Sequence, residues 1–181
     1  MSHATAQQPL AGVKVVELST MITCSLAAMT LRAQGASVVK VEPPGIGDAM
    51  RKIGTQKAGM STLFNNCNRG KRSLAIDLKS EAGQEAVTQL AQEADVILHN
   101  YRPGVMNRLG FGSDRLRALN PKLVYIAVSG FGTTGPMAAK PAYDHVIQGL
   151  SGLTDLQGEA SDEYAYVRSL ICDKVTAYTV A

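Results

Sequence analysis

The pattern of hydrophobic and polar residues predicts alternating strands and helices from the beginning of the chain. Residues 13–18 and 37–42 are rich in β-branched residues, which is typical of buried strands. Between them, apolar residues in the segment 25–34 recur at an approximately helical spacing, and the pattern stops at Gly35. A strand, a helix and a second strand with such short connections predict a right-handed crossover and a parallel pair.

The same alternation continues along the rest of the chain and predicts an α/β fold with a doubly wound, mainly parallel sheet of about five strands. The segment 123–129 is almost wholly apolar, which is typical of a central parallel strand. Residues 151–163 are polar and are predicted to form a flexible loop. The other predicted elements are strands at residues 73–78 and 95–99 and helices that begin at Ser80, Ser113 and Tyr143.

Composition and charge exclude several classes of protein. The 181 residues are 45% hydrophobic and 18% charged, and no apolar run reaches the length of a membrane span. A net charge of +3 argues against a polybasic nucleic-acid-binding protein, although it permits a local basic site for an anionic ligand. Residues 1–9 are polar and lack an apolar signal core, so we expect a flexible N-terminus and a cytoplasmic protein.

The cysteines indicate neither a metal site nor a disulfide framework. Cys24, Cys67 and Cys172 are odd in number and widely spaced, so reduced thiols are expected. Cys24 lies at the predicted start of a helix, where the pKa of a thiol falls, but no histidine is linked to it by local spacing. A nucleophilic role for Cys24 is therefore disfavoured.

Ligands of an open parallel sheet bind beyond the carboxyl ends of its strands, which directs attention to the loops that follow them. The loop at residues 19–25 has no glycine, although a dinucleotide site needs glycines there to admit a pyrophosphate. NAD and FAD are thus disfavoured. The turn at residues 69–72 contains Arg69, Lys71 and Arg72. Its residues suit a phosphate site and a solvated basic turn about equally.

Three further segments contain candidate ligand-binding or catalytic residues. Asn100 and Tyr101 follow a strand and suit hydrogen bonding to, and stacking on, a heterocycle. Arg102 and Arg108 offer guanidinium groups for phosphate, unless the adjacent Pro-Gly pair forms only a solvated turn. The loop at residues 130–136 is rich in glycine. Asp173 stands where a helix N-cap is expected, and from this stretch alone a purely capping role is favoured.

Five segments in a fixed order resemble the family III CoA-transferases, the group that contains formyl-CoA transferase, carnitine CoA-transferase and α-methylacyl-CoA racemase. They are residues 9–18, 34–45, 68–73, 100–105 and 129–136. The resemblance extends from about Pro9 to the last residue and implies that residues 10–181 form a Rossmann-like CoA-binding domain. Members of the family are considerably longer, so it also implies a chain truncated relative to them that lacks their second domain.

The resemblance further implies a CoA-transferase that moves CoA from an acyl-CoA thioester to a carboxylic acid through an aspartyl-CoA intermediate. Asp173 would be the nucleophile. The partners would be an acyl-CoA and a carboxylic acid, and CoA would be substrate and product rather than a permanently bound cofactor. No metal, nucleic acid or membrane is expected to take part. The subunits would form an interlocked homodimer. The positions that match the family's CoA-binding residues are Thr23, Ile76, Asn100, Tyr101, Arg108 and Leu109.

The chain departs from the family pattern at two places. Ile22 and Cys24 stand where the formyl-CoA transferases have a glutamine and a glycine, which leaves the acyl group open. The racemases carry a His-Asp pair where this chain has Tyr143 and Asp144, and His145 comes one residue late, a turn of about 100° on a helix. A transferase is therefore preferred to an acyl-CoA α-proton racemase, and a non-catalytic CoA-binding or assembly fragment is the other alternative.

Overall fold

The computed structural model of the protein describes residues 8–158 and 163–181, which form a parallel sheet with helices on both faces. In chain order, the elements are β1 (Lys14–Leu18), α1 (Ile22–Ala33), β2 (Ser37–Glu42), a 3₁₀ helix (Ala49–Lys52), β3 (Gln56–Lys57), β4 (Met60–Ser61), α2 (Thr62–Asn68), β5 (Arg72–Ala75), α3 (Glu81–Glu93), β6 (Val96–His99), α4 (Val105–Arg108), α5 (Ser113–Leu119), β7 (Val124–Ala127), α6 (Asp144–Leu150), α7 (Leu153–Gly158) and α8 (Ile171–Val180).

The main sheet confirms the predicted α/β architecture. Its strand order is β5-β2-β1-β6-β7, and all neighbouring strands are parallel. In the register of the central strands, Val16 lies opposite Val39 on one side and Ile97 on the other. The chain order reverses between β1 and β6, and such a switch point opens a crevice at the carboxyl ends of the strands. Strands β3 and β4 form a separate antiparallel pair.

Helices cover both faces of the sheet, and each strand contributes to both cores because successive side chains of a strand point to opposite sides. Val16 and Ile97 belong to the core beneath α3 and α5, whereas Val15 and Leu98 belong to the core beneath α1 and α8. The second core contains the small residue Ala177 of α8, which is completely buried. Helices α1 and α8 therefore pack side by side on one face of the sheet, with their first turns near its carboxyl edge.

Strand β7 is an edge strand in the described part of the chain, not the central strand that its apolar sequence predicted. Val124 at its start is 52% exposed. An apolar run indicates β-propensity, but the place of a strand in the sheet depends on pairing with distant segments, which local sequence does not encode.

Two predicted boundaries also need correction. Helix α1 begins at Ile22, three residues before the predicted start, so Thr23 and Cys24 lie in its first turn. The predicted loop at 151–163 contains the short helix α7, and residues 159–162 lie outside the described part of the chain. A six-residue helix is too short to show a clear apolar period. Residues 1–7 of the predicted flexible N-terminus also lie outside the described residues.

Candidate active site

The loop between β1 and α1 has a strained backbone that three hydrogen bonds hold in place. Met21 has φ 63° and ψ −158°, a conformation that is rare for residues other than glycine. Its N–H donates to Asp48 Oδ1 at 3.1 Å. The N–H of Thr20 donates to Asn100 Oδ1 at 3.1 Å, and Asn100 Nδ2 donates back to the Thr20 carbonyl at 2.6 Å. Asn100 thus fixes this loop across the switch point.

Asp173 lies in the first turn of α8 and contacts the first turn of α1. The hydroxyl of Thr23 donates to Asp173 Oδ1 at 2.9 Å, and the N–H of Asp173 donates to Asp144 Oδ1 at 2.9 Å. The N-cap of α8 is Leu170, three residues earlier, so the purely capping role considered for Asp173 is wrong. The packing of α1 on α8 brings Thr23 and Asp173 together although 150 residues separate them.

A cavity of about 390 Å³ opens beside this pair at the carboxyl ends of β1, β6 and β7. We call it the Asp173 cavity. Its volume lies in the range of small-molecule sites. A Cβ at Gly130 would collide with Ala142, so glycine is required where the loop after β7 borders the cavity. The polar and aromatic residues that line the cavity come from the strand ends and from neighbouring segments, and they are Thr20, Thr23, Asn100, Tyr101, Arg102, Ser129, Lys140, Tyr143, Cys172, Asp173 and Thr176.

The Asp173 carboxyl group is half-buried, and its pKa is raised above the usual value. Burial is the largest cause, and the nearby Asp144 carboxylate acts in the same direction. The hydrogen bond from Thr23 and the nearby His145 oppose the rise. A carboxylate that is partly stripped of water and held by one hydroxyl is a suitable nucleophile at the wall of a cavity.

Asp144 is buried and its two oxygens are already engaged. Oδ1 accepts from the N–H of Asp173, and Oδ2 accepts from Gln148 Nε2 at 2.6 Å. Gln148 in turn accepts from the N–H of Val167 at 2.9 Å, so this group ties α6 to the start of α8. His145 is exposed and its ring lies edge-on to Tyr166. The two side chains thus point to different environments, unlike a cooperating His-Asp pair.

The structure brings together half of the predicted CoA-binding residues. Thr23, Asn100 and Tyr101 line the cavity with Asp173. The other three lie outside its lining: Ile76 and Leu109 pack against the core beneath α3, and Arg108 is exposed at the end of α4.

Sequence reasoning did not single out Lys140 and Thr176 as site residues, although both line the cavity. For Thr176 a signal existed, because residues three apart on a helix share a face and Thr176 follows Asp173 by three. For Lys140 there was none, because it belongs to an irregular segment that reaches the cavity only through the fold.

A second group of charged residues lies on the other side of the same loop, and we call it the closed cluster: Glu17, Lys40, Asp48 and Lys71. Lys40 Nζ lies 2.6 Å from Glu17 Oε1 and 2.9 Å from Asp48 Oδ2, and Lys71 Nζ lies 2.6 Å from Glu17 Oε2. The four side chains are at most 2% exposed. Burial opposes ionisation of Glu17, but the two lysines outweigh it and lower its pKa.

For Lys71, the closed cluster excludes both interpretations of the basic turn at residues 69–72, the phosphate site and the solvated turn. Lys71 is neither solvated nor available to phosphate, because its ammonium group donates to Glu17, to Asn68 Oδ1 and to the Ser25 carbonyl. Burial lowers the pKa of Lys71 in spite of Glu17. Only the tertiary structure reveals that this lysine points inward.

The cysteines are free thiols, as predicted. Cys24 is completely buried, and burial together with the nearby Glu17 carboxylate raises its pKa strongly, which removes it as a nucleophile. Cys172 is half-exposed at the cavity. Among the described residues, no cluster of His, Cys, Asp and Glu side chains suits a metal ion, and no helix is long and apolar enough to span a membrane.

Comparisons with known proteins agree with this geometry. A family model described as CoA-transferase family III matches residues 10–181. The chain is 40% identical over 150 residues to an acetyl-CoA:oxalate CoA-transferase of Acetobacter aceti, covering 83% of this chain and 39% of that protein. It is 39% identical over 158 residues to a succinate–glutarate CoA-transferase of Agrobacterium fabrum, covering 83% of this chain and 40% of that protein.

A solved structure is similar over almost the whole chain. The crystal structure of a CAIB/BAIF family protein from Brucella suis aligns with a TM-score of 0.89 and 37% identity, covering 96% of this chain and 48% of that one. The chain therefore spans less than half the length of the relatives that it matches.

Proposed function

Because the chain belongs to CoA-transferase family III, we propose that it moves CoA from an acyl-CoA thioester to a carboxylic acid, with Asp173 as the nucleophile. The observation that carries this proposal is the half-buried Asp173 carboxylate, which Thr23 holds at the wall of a cavity at the switch point of the sheet. The family match and the curated relatives support CoA transfer in general, and the role of Asp173 is our addition.

The proposed reaction proceeds in two symmetrical halves. The Asp173 carboxylate attacks the thioester carbonyl, and the C–S bond breaks to give an acyl-aspartyl anhydride and CoA thiolate. The thiolate attacks the aspartyl carbonyl, which releases the donor carboxylate and leaves an aspartyl-CoA thioester. The acceptor carboxylate then attacks this thioester and expels the thiolate. Attack of the thiolate on the acceptor carbonyl forms the new acyl-CoA and regenerates Asp173.

The cavity supports this chemistry in two ways. Partial burial weakens the hydration of the attacking carboxylate, while the hydroxyl of Thr23 keeps it oriented. Gly130, which packs against Ala142, brings the backbone of the loop after β7 to the cavity wall, where amide groups can stabilise a developing oxyanion. The first contribution acts on the attacking carboxylate, and the second acts on the oxygen of the carbonyl group that it attacks.

We propose that CoA extends from the cavity across the loop after β6. Asn100 and Tyr101 lie at the cavity wall, where they suit contact with the thioester arm. Arg108 is exposed one short helix farther along and would bind a phosphate group, with Ile76 and Leu109 beneath it as apolar support. A long ligand can reach both regions, which explains why the six predicted positions do not share one cavity.

The names of the relatives guide the choice of substrates. Oxalate and glutarate are small dicarboxylic acids, and acetyl and succinyl groups are short, so short acyl-CoAs and dicarboxylates form the first assay panel. The homodimer and the cytoplasmic location stay predictions. A protein that binds CoA but transfers none would support the non-catalytic alternative, and exchange of the α-proton with solvent deuterium without transfer would support a racemase.

The experiment that tests the proposal is Asp173→Asn in a coupled CoA-transfer assay, with the protein assayed as its gene encodes it in full. Asparagine keeps the shape of the side chain but is no longer a carboxylate nucleophile, so the rate should fall by at least about 10³-fold while the fold is retained. Asp155→Asn is the matched control, because Asp155 is exposed in the first turn of α7. Transfer by the Asp173→Asn variant at the wild-type rate would refute the nucleophile.

A further inference from the structure

Thr23 occupies a position that binding of CoA does not by itself explain. It lies in the first turn of α1, is half-buried, and donates its hydroxyl proton to Asp173 Oδ1 at 2.9 Å. The resemblance to the family implied that Thr23 contacts CoA. The structure instead directs its hydroxyl to the carboxylate that we propose as the nucleophile.

We infer that Thr23 is a positioning residue for Asp173: its hydroxyl holds one carboxylate oxygen so that the other is presented to the cavity for attack. This inference rests on the proposed function of Asp173. An unrestrained carboxylate rotates about its last bond, and restricting that rotation keeps the attacking oxygen in reach of the thioester carbon.

The loop that precedes Thr23 is held by hydrogen bonds from three other parts of the chain. Asn100 fixes Thr20 by two hydrogen bonds, and Asp48 fixes the strained Met21 by another. Beyond them, Lys40 of the closed cluster donates to the Ser19 carbonyl at 3.1 Å. The hydroxyl of Thr23 is thus held in place before a substrate arrives, and it need not reorganise during the reaction.

The second side of Asp173 is fixed by a different element. Its N–H donates to Asp144 Oδ1 on α6, and this bond locates the backbone of the first turn of α8 but not the side chain. Thr23 and Asp144 therefore have separate effects: one orients the carboxylate, and the other anchors the residue that carries it.

The hydrogen bond from Thr23 also affects ionisation. Burial and Asp144 raise the pKa of Asp173, and the hydroxyl opposes that rise, as does His145. Without the hydroxyl the pKa should rise further, and a larger fraction of Asp173 would be protonated and inactive at acidic pH. The other titratable or charged groups that border the cavity are Tyr101, Arg102, Lys140, Tyr143 and Cys172.

The test compares Thr23→Val, which removes the hydroxyl at nearly constant shape, with Thr23→Ser, which retains it. For Thr23→Val we expect kcat to fall about 10- to 100-fold while KM for the acyl-CoA changes less than about twofold. The acidic limb of the kcat profile should move to higher pH. Thr23→Ser should have a kcat within about threefold of wild type, and the acidic limb of its kcat profile should lie at the wild-type pH.

The matched control is Thr30→Val on the same helix, because Thr30 donates only to the Leu26 carbonyl and does not line the cavity. It should leave kcat, KM and the pH profile unchanged. If Thr23→Val does not fold, which circular dichroism would show, Thr23→Ala and Thr23→Ser replace it as the pair, and the same contrast is expected.

Three outcomes would overturn the inference. A raised KM with unchanged kcat in Thr23→Val would make Thr23 a CoA ligand. An unmoved acidic limb would show that the hydroxyl does not act on Asp173, and a serine variant no better than valine would show that only packing matters. These failures differ from failure of the proposed function, because activity that survives Asp173→Asn would remove the nucleophile itself whatever Thr23 does.

Discussion

The closed cluster and the Asp173 cavity lie on either side of one loop, and both contain carboxylates at the carboxyl edge of the sheet. In the closed cluster, Glu17 and Asp48 face Lys40 and Lys71, and the four side chains are at most 2% exposed. At the cavity, Asp173 is half-buried and has a neutral hydroxyl as its side-chain partner. Charge at the carboxyl edge of the sheet is therefore not enough to identify a candidate site, and what distinguishes Asp173 is a carboxylate without an ionic partner beside a cavity.

The two regions are nevertheless connected. Lys40 donates to the Ser19 carbonyl and to Ser25 Oγ, and Lys71 donates to the Ser25 carbonyl, so the closed cluster holds the chain on both sides of Thr23. A buried ion pair need not add net stability, because the cost of removing its charges from water offsets their attraction. Here the geometry that they specify is the orientation of the first turn of α1, on which the position of Asp173 depends.

The largest expected effect on stability is that of Glu17→Gln. The substitution leaves Lys71 buried without its carboxylate, and the loss of one partner of a buried ion pair costs about 3–5 kcal/mol. Urea unfolding measures this loss. Glu93→Gln is the control, because Glu93 pairs with Lys14 on the surface, where both side chains are mostly exposed, and its unfolding midpoint should not move.

Equal midpoints for the two variants would contradict the distinction between the regions. That result would mean that the closed cluster is open to water in solution. Asp173→Asn should leave the unfolding midpoint near that of wild type, which would distinguish the proposed nucleophile from a carboxylate whose role is to stabilise the fold.

A smaller effect is expected when the boundary of the CoA site is probed. Arg108→Ala should weaken CoA binding by about 1.5–3 kcal/mol if the guanidinium donates a charged hydrogen bond to a phosphate. Calorimetry on the folded variants measures this, with exposed Arg117→Ala on α5 as the control. If Arg102→Ala, at the cavity wall, carries the whole loss and Arg108→Ala none, CoA is confined to the cavity.

The mildest experiment changes no residue and compares how readily the three cysteine thiols are alkylated. Burial raises the pKa of all three thiols, so access distinguishes them: Cys172 borders the cavity and is half-exposed, whereas Cys24 and Cys67 are buried. Brief alkylation of the native protein should label Cys172 first, and mass spectrometry of the peptides identifies the labelled cysteine. Unfolding in urea should make all three reactive. Prior labelling of Cys24 would show that the region around Glu17 opens in solution.

The individual strands and helices were well predicted, because strand propensity and helix capping depend on residues that are close together in sequence. The β-branched runs that form β1 and β2, and the Ser80 cap that begins α3, follow from short-range preferences. The edge position of β7 was not predictable in this way, since strand order depends on distant pairing.

The site was only partly predictable for the same reason. The family resemblance implied that Asp173 is the nucleophile, but its partner Thr23 is 150 residues away in sequence and meets it only through the packing of α1 on α8. Likewise, nothing near Lys71 in sequence indicates that it pairs with Glu17, 54 residues earlier. Polar residues that act in pairs across elements need the fold before their roles can be assigned.

The most direct test of the central claim is to trap the activated carboxylate. After incubation with acyl-CoA, hydroxylamine should convert Asp173 to a hydroxamate, which mass spectrometry would detect on the tryptic peptide of residues 169–174. Asp144 falls on a different tryptic peptide and, being buried and fully engaged, should stay unmodified. A hydroxamate on residues 169–174 that requires acyl-CoA is the predicted result. Its absence from a protein that transfers CoA, or its appearance on another carboxylate, would contradict the account.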